Sequence, residues 1–109
     1  MLWDSLLQAL RTSGEPLAPA KELSSYINEH RHRLSFSRGF DVLDDPLAPM
    51  AIKRRRALDL VMALTDEAIA RISYVLSLDS ETDHAMKVAR LRQDRAKLIA
   101  DYKLHALIA

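Results

Sequence analysis

The sequence predicts an all-α fold, a small bundle of about four helices built on a long antiparallel helical hairpin in the C-terminal half. Three observations lead there. Apolar residues recur three and four positions apart through four separate stretches, the period of a helix with one buried face. The chain has only two Gly and four Pro, too few for a sheet fold with a tight turn roughly every ten residues. The break between the last two stretches is short, so the second of them must double back along the first.

The first stretch holds Leu2, Trp3, Leu6, Leu7 and Leu10 and predicts a helix over residues 2–13, stopped by Gly14, Pro16 and Pro19. In the second, Leu23, Ile27, His30 and Leu34 form a stripe with Tyr26 beside it, a helix over 20–34. Residues 35–46 break the period and read as a loop. Asp45 followed by Pro46 suits an N-cap with Pro in the first helical turn, and Pro49 puts the start of the third helix at 47 or 50. That helix runs to 78 on Leu58, Val61, Met62, Leu64, Thr65, Ala68, Ile69, Ile72, Val75 and Leu76. At 100° per residue these cover an arc of roughly 160°, wide enough for two neighbours. Ser80 and Asp83 resemble a capping pair, with Glu81 favoured by the helix dipole. The fourth helix follows from 81 to the C-terminus on Ala85, Val88, Ala89, Leu91, Ala96, Leu98, Ile99, Tyr102 and Leu107. The hairpin then spans about 47–109 and brings Asp66 and Glu67 opposite Arg90 and Arg92.

With 109 residues, 49% hydrophobic and 28% charged, the chain suits one globular domain with its own core. The absence of Cys excludes disulfides, thiolate metal sites and a Cys nucleophile, and suits a cytoplasmic setting. Asp4, Gln8 and Arg11 interrupt the first apolar run, which does not read as a signal peptide, and no uninterrupted apolar stretch approaches the roughly 18 residues of a membrane span. The net charge of +1 hides a segregation: residues 1–29 carry −2, 30–56 carry +4, 57–83 carry −5 and 84–109 carry +4, counting Lys and Arg against Asp and Glu.

No set of residues reads as an active site. His30 and His32 have the spacing of a metal pair on a strand, but on a helix they point about 200° apart, and His30 shares a stripe with Leu23 and Ile27. His84 and His105 are isolated. Activated nucleophile, opposed carboxylates and Gly-rich phosphate cradle are all missing, which predicts a non-enzymatic protein without metal or cofactor.

Binding features are more evident. Lys53, Arg54, Arg55 and Arg56 form a collar around the start of the third helix, where positive charge opposes the dipole. Asp41, Asp44 and Asp45 are the intramolecular compensators. With Arg31, Arg33 and Arg38 at the same end, and Lys103 and His105 facing them, positive charge is left over for a polyanion or an acidic protein. Phe36 and Phe40 flank Arg38 and Gly39, as base-stacking aromatics or as plugs of the bundle end; Trp3 suits a partner's groove or the core. Arg92 and Arg95 fall within the apolar arc of the fourth helix, where they snorkel or find carboxylates across an interface. The segment from Leu104 to Ala109 is too apolar for a free tail.

The expected function is a protein-interaction module (regulator, inhibitor or adaptor) that binds another protein and self-associates, most readily as a dimer. The surfaces for this, or for the core, are Leu58, Val61, Ile69, Ile72, Leu76, Arg92, Arg95, Leu98, Ile99, Tyr102 and Leu107. The alternative is a nucleic-acid-binding accessory protein with the basic cluster on phosphates and the 36–40 segment as a base platform.

Overall fold

The computed structural model describes residues 2–11, 20–35, 38–78 and 82–108, and these are mostly helical, with no strand among them. The helices are α1 Leu2–Leu10, α2 Lys21–Glu29, α3 Arg31–Leu34, α4 Arg38–Asp44, α5 Met50–Leu78, α6 Thr82–Asp101 and α7 His105–Ile108. A 29-residue helix is about 43 Å long at 1.5 Å per residue, so α5 accounts for the long dimension of the 46 × 28 × 24 Å molecule. Asp66 meets Arg95, Arg54 meets the Tyr102 carbonyl, and Arg55 meets that of Leu107, so contacts with α5 run backwards along the C-terminal segment. The two long helices are therefore antiparallel. None of the described helices is long and apolar enough to cross a membrane.

One core joins the segments. Leu6, Leu7 and Leu10 of α1, Leu23 and Ile27 of α2, and Phe40 and Leu43 of α4 pack with Leu58, Val61 and Ala68 of α5 and Leu91 and Leu98 of α6. Thr65 is fully buried and resolves its hydroxyl locally, donating to the Val61 carbonyl at 2.6 Å.

The structure departs from the expected helices in four places. The helix expected over 20–34 is divided at His30, whose backbone (φ −106°, ψ 16°) leaves the helical region. Its ring stacks on Tyr26 with centroids 4.2 Å apart, and its Nδ1 donates to the Tyr26 carbonyl at 2.9 Å, which holds the bend. Past it, Leu34 still enters the core.

Within the expected 35–46 loop lies α4. Phe40 and Leu43, three apart, turn its inner face to the core, and this burial overrides the weak helix propensity of Gly and Asp. Gly39 lets α4 lie close to α5, since a Cβ there would sit 2.6 Å from Leu60 Cδ2. The Asp45 side chain does not cap α5. It accepts from the Leu47 amide at 2.9 Å and closes a turn, and α5 begins only after Pro49.

The fourth departure is the end of α6 at Asp101. Lys103 has φ 54°, its amide bonds to the Ala100 carbonyl at 3.3 Å, and the Leu104 amide bonds to that of Ile99 at 2.9 Å. This is a Schellman closure with Lys in the position that favours Gly. Leu104 is fully buried and holds it shut. Lys103→Gly is expected to raise stability by about 1 kcal/mol, the left-handed penalty of a Cβ less the added freedom of the unfolded chain. A urea midpoint that stays level or falls would contradict this account.

Phe36, the stop at Gly14, Pro16 and Pro19, and Ser80 of the capping pair lie outside the described residues, as do the side chains of Arg38, Leu76 and Asp83.

Candidate functional site

The basic run at the start of α5 is the densest run of charge in the sequence, and two of its members are engaged inside the molecule. Arg54 is half-buried, and its guanidinium forks to two carbonyls, Leu10 at the end of α1 and Tyr102 just past α6. Arg55 donates to the Leu107 carbonyl in α7 and lies 3.4 Å from Asp59. Helix C-termini carry unsatisfied carbonyls and partial negative charge. The collar is therefore compensated by the ends of other helices, and none of Asp41, Asp44 and Asp45 forms an ion pair with it. Lys53 is half-buried and Arg56 exposed.

The expected single basic end is also divided. Arg33 bonds to Glu67, twelve positions along α5 from Arg55 and about 18 Å away by helical rise. Arg31 is exposed on the same short helix. Sequence spacing could not place α3, because its position depends on the bend at His30.

Glu67 is the centre of a small polar cluster. It accepts from the Tyr26 hydroxyl and from Arg33, and lies 3.4 Å from Arg71. Burial pushes the Tyr26 hydroxyl up to about 12, reinforced by its hydrogen bond to Glu67 and that carboxylate's charge. Burial also works to raise Glu67, but the hydrogen bonds from Tyr26 and Arg33, with the charges of Arg33 and Arg71, outweigh it and hold the carboxyl below its ordinary value. Tyr26 and His30 also line an open groove of about 320 Å³ between α2, α5 and α6, with Arg71 and Lys87 at its rim.

These shifts set a pH dependence at both ends. Glu67 is lower in the folded chain, so its contribution is complete above the ordinary carboxylate range and is lost as pH falls through its depressed value. Tyr26 is higher in the folded chain, so its contribution is complete below about 10 and is lost as pH rises toward about 12. Tyr26→Phe is expected to remove this part of the alkaline decline. Urea unfolding of both proteins should show their stability difference shrinking between about pH 10 and 12. A difference that is constant with pH would contradict the assignment.

On α6, the register expected for the hairpin shifts by about a turn. Asp66 meets Arg95 at 2.7 Å rather than Arg90 or Arg92, and Arg90 reaches Glu22 on α2 at 3.4 Å. Arg95 is half-buried and has its carboxylate within the chain, while Arg92 lies on the exposed side. Asp94 serves a purpose the sequence did not indicate: its Oδ2 accepts the Glu22 and Leu23 amides at 2.9 and 3.1 Å. It caps α2, whose own N-cap residue, Ala20, has no side chain able to do so. No local pattern reveals a cap more than 70 positions away.

The outer face of α6 is open to solvent, with Arg90, paired to Glu22, at its edge. Lys87, Arg90, Arg92 and Lys97 are exposed, as is Lys103 just beyond the helix, against a single exposed acid, Asp101, among the described side chains. At 100° per residue Arg90 and Lys97 border one side of this face and Arg92 the other, with Ala89, Ala96 and Ala100 between them. Met86 is 52% exposed at one end.

The remaining candidates belong mainly to the interior. Phe40 is 1% exposed and is a core residue, not a partner-facing aromatic, because α4 turns it between α1 and α5. Trp3 is half-buried against the core, as are Ile69, Ile72, Ile99 and Leu107, while Leu58, Val61, Leu98 and Tyr102 are buried. His32 is exposed, and among the described residues no group of three or more His, Asp or Glu is placed to hold a metal ion. No protein-family profile matches the chain, and neither a curated protein nor a solved structure matches it.

Proposed function

We propose that the protein is a non-enzymatic interaction module, a helical bundle organised on the α5 and α6 hairpin, that self-associates and holds an acidic partner protein on the outer face of α6. The reading suits a cytoplasmic regulator, inhibitor or adaptor without a cofactor. The observation that carries it is the set of exposed cations flanking the Ala strip of α6, Arg90 and Lys97 on one side and Arg92 on the other, with the exposed Lys103 just beyond the helix. The Ala residues of that strip let a partner helix approach closely, and acidic residues flanking that helix meet charge on both sides.

Nucleic-acid binding is the alternative, since phosphates would meet the same cations. Less supports it, because Arg54 and Arg55 are engaged with carbonyls and Arg33 with Glu67, which leaves only Lys53 and Arg56 side by side on α5 and Arg31 on α3. Affinity purification from the native host, with and without nuclease, tests the two using wild type and Arg92→Glu/Lys97→Glu. The expected result is an acidic protein that survives nuclease and is lost with the variant at unchanged melting temperature. Nucleic acid lost with the variant would transfer the face to the alternative. Identical recoveries from both proteins would end the reading.

A further inference from the structure

We infer that the outer face of α5 docks on the same face of a second copy of this chain, antiparallel, with Arg56 of each copy opposite Asp66 of the other. The inference rests on the self-association proposed above and names its surface. Ile52, Arg56, Asp59, Ala63, Asp66, Ala70 and Ser73 are all exposed, and they follow one another at alternating steps of four and three. Steps averaging 3.5 keep residues on one seam, along which a second helix can lie. The core seam, with Ala57, Leu58, Val61, Leu64 and Ala68, occupies the opposite side of the helix.

Charge selects the orientation. A parallel in-register pair sets Arg56 on Arg56, Asp59 on Asp59 and Asp66 on Asp66, like charge on like at three levels. An antiparallel pair with its two-fold axis level with Val61 sets Ile52 against Ala70, Arg56 against Asp66, and Asp59 against Ala63. A shift of one heptad toward the C-terminus loses every opposite-charge pair. A shift toward the N-terminus pairs Arg56 with Asp59 but leaves Asp66 and Ala70 beyond the start of the facing helix. The favoured register overlaps residues 50–72 of α5, and small residues at 63 and 70 permit close approach.

The groups that would meet are available. Arg56 is exposed and forms no ion pair among the described residues. Asp66 is bonded to Arg95 yet keeps 70% of its side chain exposed, so a second guanidinium can reach its other lone pairs. At each end of the overlap the exposed Tyr74 comes beside the Pro46 to Pro49 turn of the second copy, which carries Leu47 at 90% exposure. The α6 face is unsuited to the same role, since two copies would bring its cations together.

Charge reversal tests the inference without removing the face. Arg56→Asp sets Asp against Asp66 twice per dimer, and Asp66→Arg sets Arg against Arg56 twice. Each variant alone is expected to weaken the dimer by about tenfold or more in sedimentation equilibrium. An equimolar mixture of the two is expected to restore it, because both cross-pairs become attractive. Circular dichroism melting of each variant verifies folding, and the mixture needs no further substitution. A wild-type dimer that neither reversal weakens would overturn this face while leaving self-association standing. Loss in both variants without recovery on mixing would overturn the register. A strictly monomeric wild type at roughly 100 μM, where even weak association registers, would overturn both this inference and the self-association it rests on.

Discussion

Replacing Arg54 with Met is expected to lower the free energy of unfolding by about 3 kcal/mol, or about 15 °C in melting temperature for a chain of this size. The apolar stem is kept and the guanidinium removed, so the loss measures the fork to the Leu10 and Tyr102 carbonyls. Each is at or near a helix C-terminus, where no intrahelical donor is available, and the site is half-buried, so water replaces the lost donor poorly. Arg54→Lys should recover less than half the loss, because one ammonium cannot reproduce a planar fork to two acceptors. Hydrogen exchange gives the location: protection should fall at the end of α1 and around the Lys103 turn before it falls in α2. If Arg54 were instead held in reserve for phosphates, the substitution would leave stability level or improve it, by removing a charge that opposes the α5 dipole.

Phe40→Ala is expected to cost roughly 3–5 kcal/mol, the range for removing a buried aromatic and leaving a cavity. Domains of this kind have only about 5–15 kcal/mol in all, so the variant should sit near the edge of folding at 37 °C. Phe40 is 1% exposed and packs between α1 and α5, while Gly39 beside it holds α4 close enough for the ring to insert. Phe40→Leu refills part of the space and should lose less. A partner-facing or base-stacking Phe40 would give the reverse pattern, weaker binding at full stability, and equilibrium urea unfolding distinguishes the two directly.

Local chemistry made several features legible before any tertiary information. The apolar period along α5 marks Leu58, Val61, Leu64 and Ala68, and all four are buried. His30 shares the stripe of Leu23 and Ile27 and packs on Tyr26 as a partly buried histidine. The Phe40 and Leu43 spacing was also present in the sequence, but Gly39 and the aspartates around it read as loop. Those preferences cost about 1 kcal/mol for Gly and up to about 0.7 kcal/mol for each aspartate, and burying two large side chains outweighs them.

By itself the sequence determined that the chain is helical and which side of α5 faces inward, because both follow from residues within a few turns of one another. Tertiary structure alone decided where the charges and caps act. Arg54 meets carbonyls 44 and 48 positions away, Asp94 caps α2 across 72, Arg33 meets Glu67 across 34, and Arg95 meets Asp66 across 29. A charged side chain has no period that names its partner. Its interaction falls away over a few ångströms, so only the packing of the helices, set by their apolar faces, could determine which cations are engaged inside and which remain exposed along α6.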